Sequence, residues 1–225
     1  MIIQEMGVKG VIFDLDGTMV DNMMVHHLAW QRKLKELGLK LTLEQVREQI
    51  HGVNEEILRR LFGERFTDAQ RSQYANEKEE EYRRIYKSEL KLIDGLPDFL
   101  VELKKNHIAM AIGSAAPAEN VDFVLDNLNL RHYFSTVLHA GDVLKGKPDP
   151  EIYLRAAAGL KLKPADCLVF EDSPTGAEAA YRAGIPLIII TTTHSKAEFS
   201  KIPNVVKFIK DFNGLSLATI THQLI

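Results

Sequence analysis

VKGVIFDLDGTMVDN (Val8–Asn22) decides the fold of this chain. Val8–Phe13 is a short apolar run of the kind found in a strand buried on both faces. It ends in two acids, Asp14 and Asp16, followed by Gly17. Residues i and i+2 of an extended segment point to the same side, so both carboxylates can face one ligand. Gly17 lets the chain turn sharply and come close to that ligand. A bare D-x-D-G also reads as a plain Asp-Gly turn. Two neighbouring carboxylates repel, however, unless a cation or a proton neutralises them. The pair suits nucleophilic attack by one acid and proton transfer by the other, with Mg²⁺ lowering the repulsion.

Working outward, similar apolar runs recur at Ile108–Ile112, Thr136–Leu138, Leu168–Phe170 and Leu187–Ile190. Between them lie segments of helical periodicity near 96–105, 118–128, 150–159 and 174–183. Strands alternating with helices of this length predict an α/β fold, a Rossmann-like parallel sheet flanked by helices. The stretch from 21 to about 90 has no comparable strand and predicts four helices, near 23–37, 43–50, 54–62 and 67–87. Gly38 suits the position after the first of these, and Thr42 and Thr67 suit N-caps, Thr42 with Gln45 as its capping-box partner. An all-helical cap domain, 21–89, is therefore expected as an insertion into a core made of 1–20 and 90–225. The charged run EKEEEYRR (Glu77–Arg84) reads as a solvated face of the last helix, with Glu79/Arg83 and Glu80/Arg84 spaced i,i+4.

The chain has 225 residues. At about 150 residues per domain this is a domain and a half, which the insertion explains. A 45% hydrophobic and 26% charged composition is that of an ordinary globular protein and excludes a disordered or fibrous chain. The net charge of −3 gives no basic surplus for nucleic acid. Apolar stretches such as Ile185–Ile190 are far shorter than the roughly 20 residues that span a bilayer, so no membrane partner is expected. The opening MIIQEMGVKG has no basic-then-apolar signal layout, and the single cysteine, Cys167, permits no intramolecular disulfide. A cytoplasmic protein with an inert buried thiol is expected.

Three further strand ends carry chemistry. Ile108–Ile112 runs into Gly113-Ser114, and a hydroxyl with N–H groups at a helix start makes a phosphate cradle, or an ordinary N-cap. In GKPDPEIY (Gly146–Tyr153), Asp149 and Pro150 suit the N-cap and first position of a helix, with Lys147 just outside it, where an ammonium can balance a phosphate dianion. In VFEDSPTGAEAA (Val169–Ala180), Glu171 and Asp172 follow a strand, Ser173-Pro174 opens a helix, and Gly184 closes it. Acids there, facing Asp14 and Asp16 across neighbouring strands, make an oxygen-rich site suited to Mg²⁺.

With these four motifs in order, the chain resembles, from end to end, the haloacid dehalogenase superfamily, in its β-phosphoglucomutase-like subgroup with a small helical cap. The resemblance implies a phosphoric monoester hydrolase acting on small phosphorylated metabolites, sugar phosphates first, through an aspartyl phosphate on Asp14. It implies Asp16 as the acid and base, and Ser114, the Ala115 N–H and Lys147 as holders of the phosphate. Mg²⁺ would be bound by the Asp14 carboxylate, the Asp16 carbonyl and Asp172, with Glu171 as a ligand or behind one. Thr18, which completes DLDGT, matches the phosphatase form of the motif, and together with Gly52, His26 and Lys78 it is expected near substrate. The cap is expected to close over the core about hinges at Met19–Asn22 and near Lys91–Gly95. A monomer or weak homodimer is expected.

Departures from the subgroup bear on the reaction. A β-phosphoglucomutase has an arginine where this chain has Glu55, after Gly52-Val53-Asn54, and a Ser-Lys-Asn run where it has Ala116, Pro117 and Ala118. A carboxylate repels the second phosphate of a bisphosphate substrate, so hydrolysis is expected over mutase action, with inorganic pyrophosphate hydrolysis a further alternative. A phospho-aspartate receiver also has an acid at a parallel strand end, but such a single domain needs no helical insertion. Trp30, Phe62, Phe66, Tyr86 and Phe99 read as packing residues.

Overall fold

The computed structural model describes residues 8–50 and 52–221. Most of the opening stretch quoted above, up to Gly7, lies outside the described residues. The chain divides into two compact units, Met1–Asp21 with Lys91–Ile225, and Asn22–Leu90.

The first unit is built on six strands: β1 (Gly10–Phe13), β2 (Ala109–Gly113), β3 (Thr136–Leu138), β4 (Cys167–Glu171), β5 (Leu187–Ile190) and β6 (Val205–Ile209). They form one sheet in the order β3-β2-β1-β4-β5-β6 with every pair parallel. Strand order therefore runs one way from β1 through β2 to β3 and the other way from β4 through β5 to β6. The reversal falls between β1 and β4, where open α/β sheets leave a crevice at the carboxyl ends of their strands. The register places Phe13 opposite Phe170. Asp14, the next residue of one strand, is thereby level with Glu171 of the other.

Alternate residues of a strand face opposite sides of the sheet. Ile12, Ala111, Val169 and Ile189 pack in one cluster with Ile152, Tyr153, Ala156 and Ala157 of α7 (Glu151–Gly159) and Ala177, Ala179 and Ala180 of α8 (Pro174–Arg182). The alanines let both helices approach the sheet closely. Phe13 and Phe170 instead stack on each other, ring centroids 5.1 Å apart, and meet Phe212 and Phe99, the latter from α5 (Leu96–Lys105). Helices α6 (Ala118–Asn127) and α9 (Leu217–Thr221) also belong to this unit. Cys167 is fully buried, and burial first, with the nearby Asp166, pushes its thiol up to about 11.

Two differences from the sequence reading have clear causes. The periodicity missed β6, because Lys207 interrupts its apolar residues and an edge strand half-buried throughout shows no clean alternation. Helix α7 begins at Glu151, one residue later than expected; Asp149 still caps it by accepting the Glu151 N–H at 3.1 Å.

The second unit holds α1 (Met23–Glu36), α2 (Leu43–Gln49), α3 (Asn54–Phe62) and α4 (Asp68–Tyr86). Trp30, Leu34, Val46, Ile57 and Leu58 form its core, so Trp30 is a packing residue. Thr42 and Thr67 each close a capping box, with Gln45 and Gln70. The charged run of α4 is not the uniform solvated face that its spacing predicts. Arg84 pairs with Glu81 at i,i+3, while Lys78 and Glu79 are buried. An ion pair between side chains can be carried inward when each charge meets the other.

The Thr67 capping box begins the longest helix of the unit, so Thr67→Ala should cost about 1 kcal/mol, read as a lower urea midpoint, and Thr67→Ser should restore it. An unchanged midpoint in the alanine variant would show that the box does not stabilise α4.

Candidate active site

At the end of β1, Asp14 is buried and its N–H donates to the Phe170 carbonyl at 3.0 Å, which ties the residue to β4. The turn that follows is tight: the Met19 N–H reaches the Leu15 carbonyl at 2.8 Å and the Gly17 N–H reaches that of Val20 at 2.7 Å. Gly17 has φ +76°, and a Cβ there would run into the Asp172 carboxylate. Asp16 is half-buried within this turn, its backbone bridged to Val20.

Lys147 binds the two strand ends together. Its ammonium donates to Asp14 Oδ1 at 2.6 Å and to Glu171 Oε1 at 2.7 Å, and it lies 4.8 Å from the centre of the Tyr153 ring. The lysine side chain is 6% exposed, so the contact is shielded from bulk water. Glu171 is held from five directions. Oε1 also accepts the Tyr153 hydroxyl at 2.8 Å, and Oε2 accepts the N–H groups of Asp172 and Ser173 and the Ser173 hydroxyl. Gly176 permits this, since a Cβ at that position would collide with the Glu171 carboxylate. Asp172 accepts the Thr193 hydroxyl at Oδ2 and, at 3.4 Å, the Thr18 hydroxyl at Oδ1.

One ammonium thus faces three buried carboxylates, Asp14, Glu171 and Asp172, each with an oxygen within 4.8 Å of the others. Against burial, which would lower it, the charges of Asp14 and Glu171 hold Lys147 well above its ordinary pKa. Burial raises Glu171 too, but Lys147 and the donors around it win and hold it below its usual value. Asp14 is pushed up to about 8, by burial first and by Glu171 and Asp16, with Lys147 opposing. Burial and the charges of Glu171 and Asp14 raise Asp172 well above the carboxylate range. The cluster lacks positive charge, and its buried oxygens could hold a metal ion.

Ser114 follows β2 and is buried; its N–H donates to the Leu138 carbonyl, and its hydroxyl oxygen accepts the Ala116 N–H at 3.0 Å. Ala115 beside it is exposed. Thr18, expected near substrate, is fully buried against Asp172. Tyr153 and the threonines after β5 were not anticipated. Tyr153 looks in the sequence like one more apolar position of α7, and the threonines after β5 carry no periodic signal.

The family model described as haloacid dehalogenase-like hydrolase matches residues 11–190. This chain belongs to the haloacid dehalogenase-like hydrolases. The β-phosphoglucomutase of Bacillus subtilis is 33% identical over 186 residues, 79% of this chain and 80% of that protein. The phosphorylated carbohydrates phosphatase of Thermotoga maritima is 33% identical over 181 residues, 80% of this chain and 83% of that protein. The crystal structure of an Entamoeba histolytica HAD hydrolase of family IA, variant 3, superposes with a TM-score of 0.88 at 27% identity, covering 96% of this chain and 99% of that one. No described helix of this hydrolase is long and apolar enough to cross a membrane.

The remaining candidates of the hydrolase lie in the helical unit. Gly52 is exposed with φ +93°. Lys78 donates to His26 Nδ1 at 3.0 Å and to Glu79 Oε1 at 2.6 Å, and Asn54 reaches the same Glu79 oxygen at 2.7 Å. The His26 ring stacks on Tyr82 with centroids 3.8 Å apart, and Asn22 donates to the Tyr82 hydroxyl at 2.6 Å.

Burial first, then the Lys78 ammonium, push His26 down to about 3 from an ordinary 6.5, with Glu79 opposing. Between these values only the unfolded chain binds the proton, so the helical unit has its full stability above about pH 6.5 and loses it as pH falls towards 3. From pH 7 to 5 the loss should be about 2 kcal/mol, read by urea unfolding followed through Trp30 fluorescence. His26→Gln should flatten that dependence; equal pH slopes in both proteins would rule out His26 as its source.

Proposed function

We propose that this hydrolase is a Mg²⁺-dependent phosphatase that hydrolyses small phosphorylated carbohydrates through an aspartyl phosphate on Asp14. The observation that carries the reading is Lys147, bonded at once to Asp14 and Glu171 across adjoining strand ends. An ammonium beside the attacking carboxylate opposes the burial that raises it and offsets charge on the phosphoryl oxygens.

The acids fit Mg²⁺: they are oxygen donors, and their raised affinity for protons marks an unmet demand for positive charge. Asp14, Asp172 and the Asp16 carbonyl would hold the ion. Glu171 already accepts five donors, more than the roughly four lone-pair positions of a carboxylate; its role is to orient Lys147. Bound Mg²⁺ would supply neutralisation of the phosphoryl oxygens and favour ionised Asp14.

Asp14 attacks phosphorus in line. As the P–O ester bond breaks, protonated Asp16 gives its proton to the departing oxygen. Ionised Asp16 then takes a proton from water, whose oxygen attacks the phosphorus of the acyl phosphate; inorganic phosphate leaves and the Asp14 carboxylate is regenerated. The Ser114 hydroxyl accepts the Ala116 N–H and still has its own proton to give, so it and the Ala115 N–H are the phosphate donors. Thr18 acts through Asp172.

Hydrolysis is favoured over mutase action by Glu55, and by Ala116, Pro117 and Ala118, where a bisphosphate would need a cation and hydrogen-bond donors. The identity with the Bacillus subtilis enzyme supports the mutase as the second reading.

A phosphate-release screen over phosphorylated sugars and polyols with Mg²⁺ should find turnover, and EDTA should stop it. Asp14→Asn should lower kcat by at least about 10³-fold, and Asp16→Asn nearly as far; substantial turnover by the Asp14 variant would refute the nucleophile. With β-glucose 1-phosphate and a bisphosphate primer, free phosphate rather than glucose 6-phosphate should accumulate, and the reverse would establish the mutase.

A further inference from the structure

β5 delivers four polar residues, Thr191–His194, beside the candidate active site, and three of them fasten its two acidic turns. Thr192 donates its hydroxyl to the Gly17 carbonyl at 2.5 Å, in the turn after β1. Thr193 Oγ1 bonds Asp172 Oδ2, in the turn after β4, and lies 3.2 Å from the Asp172 carbonyl. His194 Nδ1 stands 2.9 Å from Thr193 Oγ1 and 3.2 Å from that same carbonyl. Thr191 anchors the segment on its other side, its N–H and hydroxyl both reaching the Ile209 carbonyl at the end of β6.

The directions of these bonds can be assigned. The carbonyl of Asp172 can only accept, and Thr193 has a single hydroxyl proton, which is best spent on the Asp172 carboxylate in the ionised form that a cation requires. His194 must then carry its proton on Nδ1, shared between the Thr193 oxygen and the Asp172 carbonyl. A chain results: His194 N–H to the Thr193 hydroxyl, and Thr193 O–H to the Asp172 carboxylate. Successive donors polarise one another, and a hydroxyl that accepts a bond donates more strongly. Thr18 meets the other oxygen of Asp172 at the longer distance of 3.4 Å, so Thr193 is the closer restraint on that carboxylate.

We propose that Thr193, backed by His194, is a positioning residue that orients the Asp172 carboxylate for the divalent cation. The proposal rests on the phosphatase reading above, in which Asp172 is a metal ligand. Residues that fix the orientation of a metal-binding carboxylate typically change metal affinity by 10- to 100-fold when removed. Thr193→Val keeps the shape and deletes the hydroxyl. Thr193→Ser keeps the hydroxyl and deletes the methyl group.

The test is Mn²⁺ binding, read by the loss of the free-ion EPR signal on titration into the purified full chain without substrate. Thr193→Val should weaken Mn²⁺ binding by about ten-fold or more, while Thr193→Ser stays within about two-fold of the parent and His194→Phe falls between them. Metal-free thermal unfolding of each variant separates lost folding from lost affinity, and should the valine variant not fold, the serine and phenylalanine variants decide the matter alone. Binding by the valine variant equal to the parent overturns the proposal, as does a serine variant as weak as the valine one or a phenylalanine variant as tight as the parent. A parent chain that takes up no Mn²⁺ overturns it too, and takes the metal-dependent reading of the site with it.

Discussion

A single buried ammonium, Lys147, set against three carboxylates is the constraint to which the rest of the sheet unit answers. Unpaired charge is costly out of water, so each acid must be met by a fixed donor. The parallel register of β1 and β4 brings Asp14 level with Glu171, close enough for one lysine to span them. Two glycines, Gly17 and Gly176, keep side chains out of the space the carboxylates occupy. Tyr153, placed by α7 on the sheet, spends its hydroxyl on Glu171 and turns its ring towards the lysine. What these groups leave is a deficit of positive charge on one side of the cluster, at Asp14 and Asp172. Rigid placement combined with incomplete neutralisation is the condition under which a cluster of carboxylates binds a cation in a defined pose.

Much of this was legible in the sequence because it depends on contrasts the chain displays openly. An apolar run that ends abruptly in acids marks both a strand and the end at which its acids gather, as at Phe13-Asp14 and Phe170-Glu171. Helix starts were legible where a side chain does the capping, as Thr42, Thr67 and Ser173 do. Partners are harder to read than positions. The acids Glu79 and Glu81 look alike in EKEEEYRR, yet one is buried against Lys78 and Asn54 while the other pairs with arginines at the surface. Nothing local distinguishes them, since the choice is made by which residues of α1 and α3 come to lie alongside. Thr193 was silent for the same reason: its meaning depends on a residue twenty-one positions earlier in the chain. The DLDGT motif places Thr18 but does not name its partner, the Asp172 carboxylate, which lies far along the chain.

The two units of the hydrolase use buried polarity differently. In the sheet unit the charges do not balance, and the imbalance is what a ligand can relieve. In the helical unit Lys78 and Glu79 are paired directly, and His26 is kept neutral against Tyr82. That arrangement leaves no excess charge among these three side chains.

The points where the chain leaves and re-enters the sheet unit are themselves joined: the Ile93 N–H donates to the Met19 carbonyl at 2.9 Å. The helical insertion therefore begins and ends at one place on the core. To the sheet it is a loop whose ends are already closed, and long insertions add little further closure entropy once that is so. The Met19–Ile93 junction behaves as a socket. A change in the length of the helical segment leaves that hydrogen bond, and with it the strand register that aligns Asp14 with Glu171, in place.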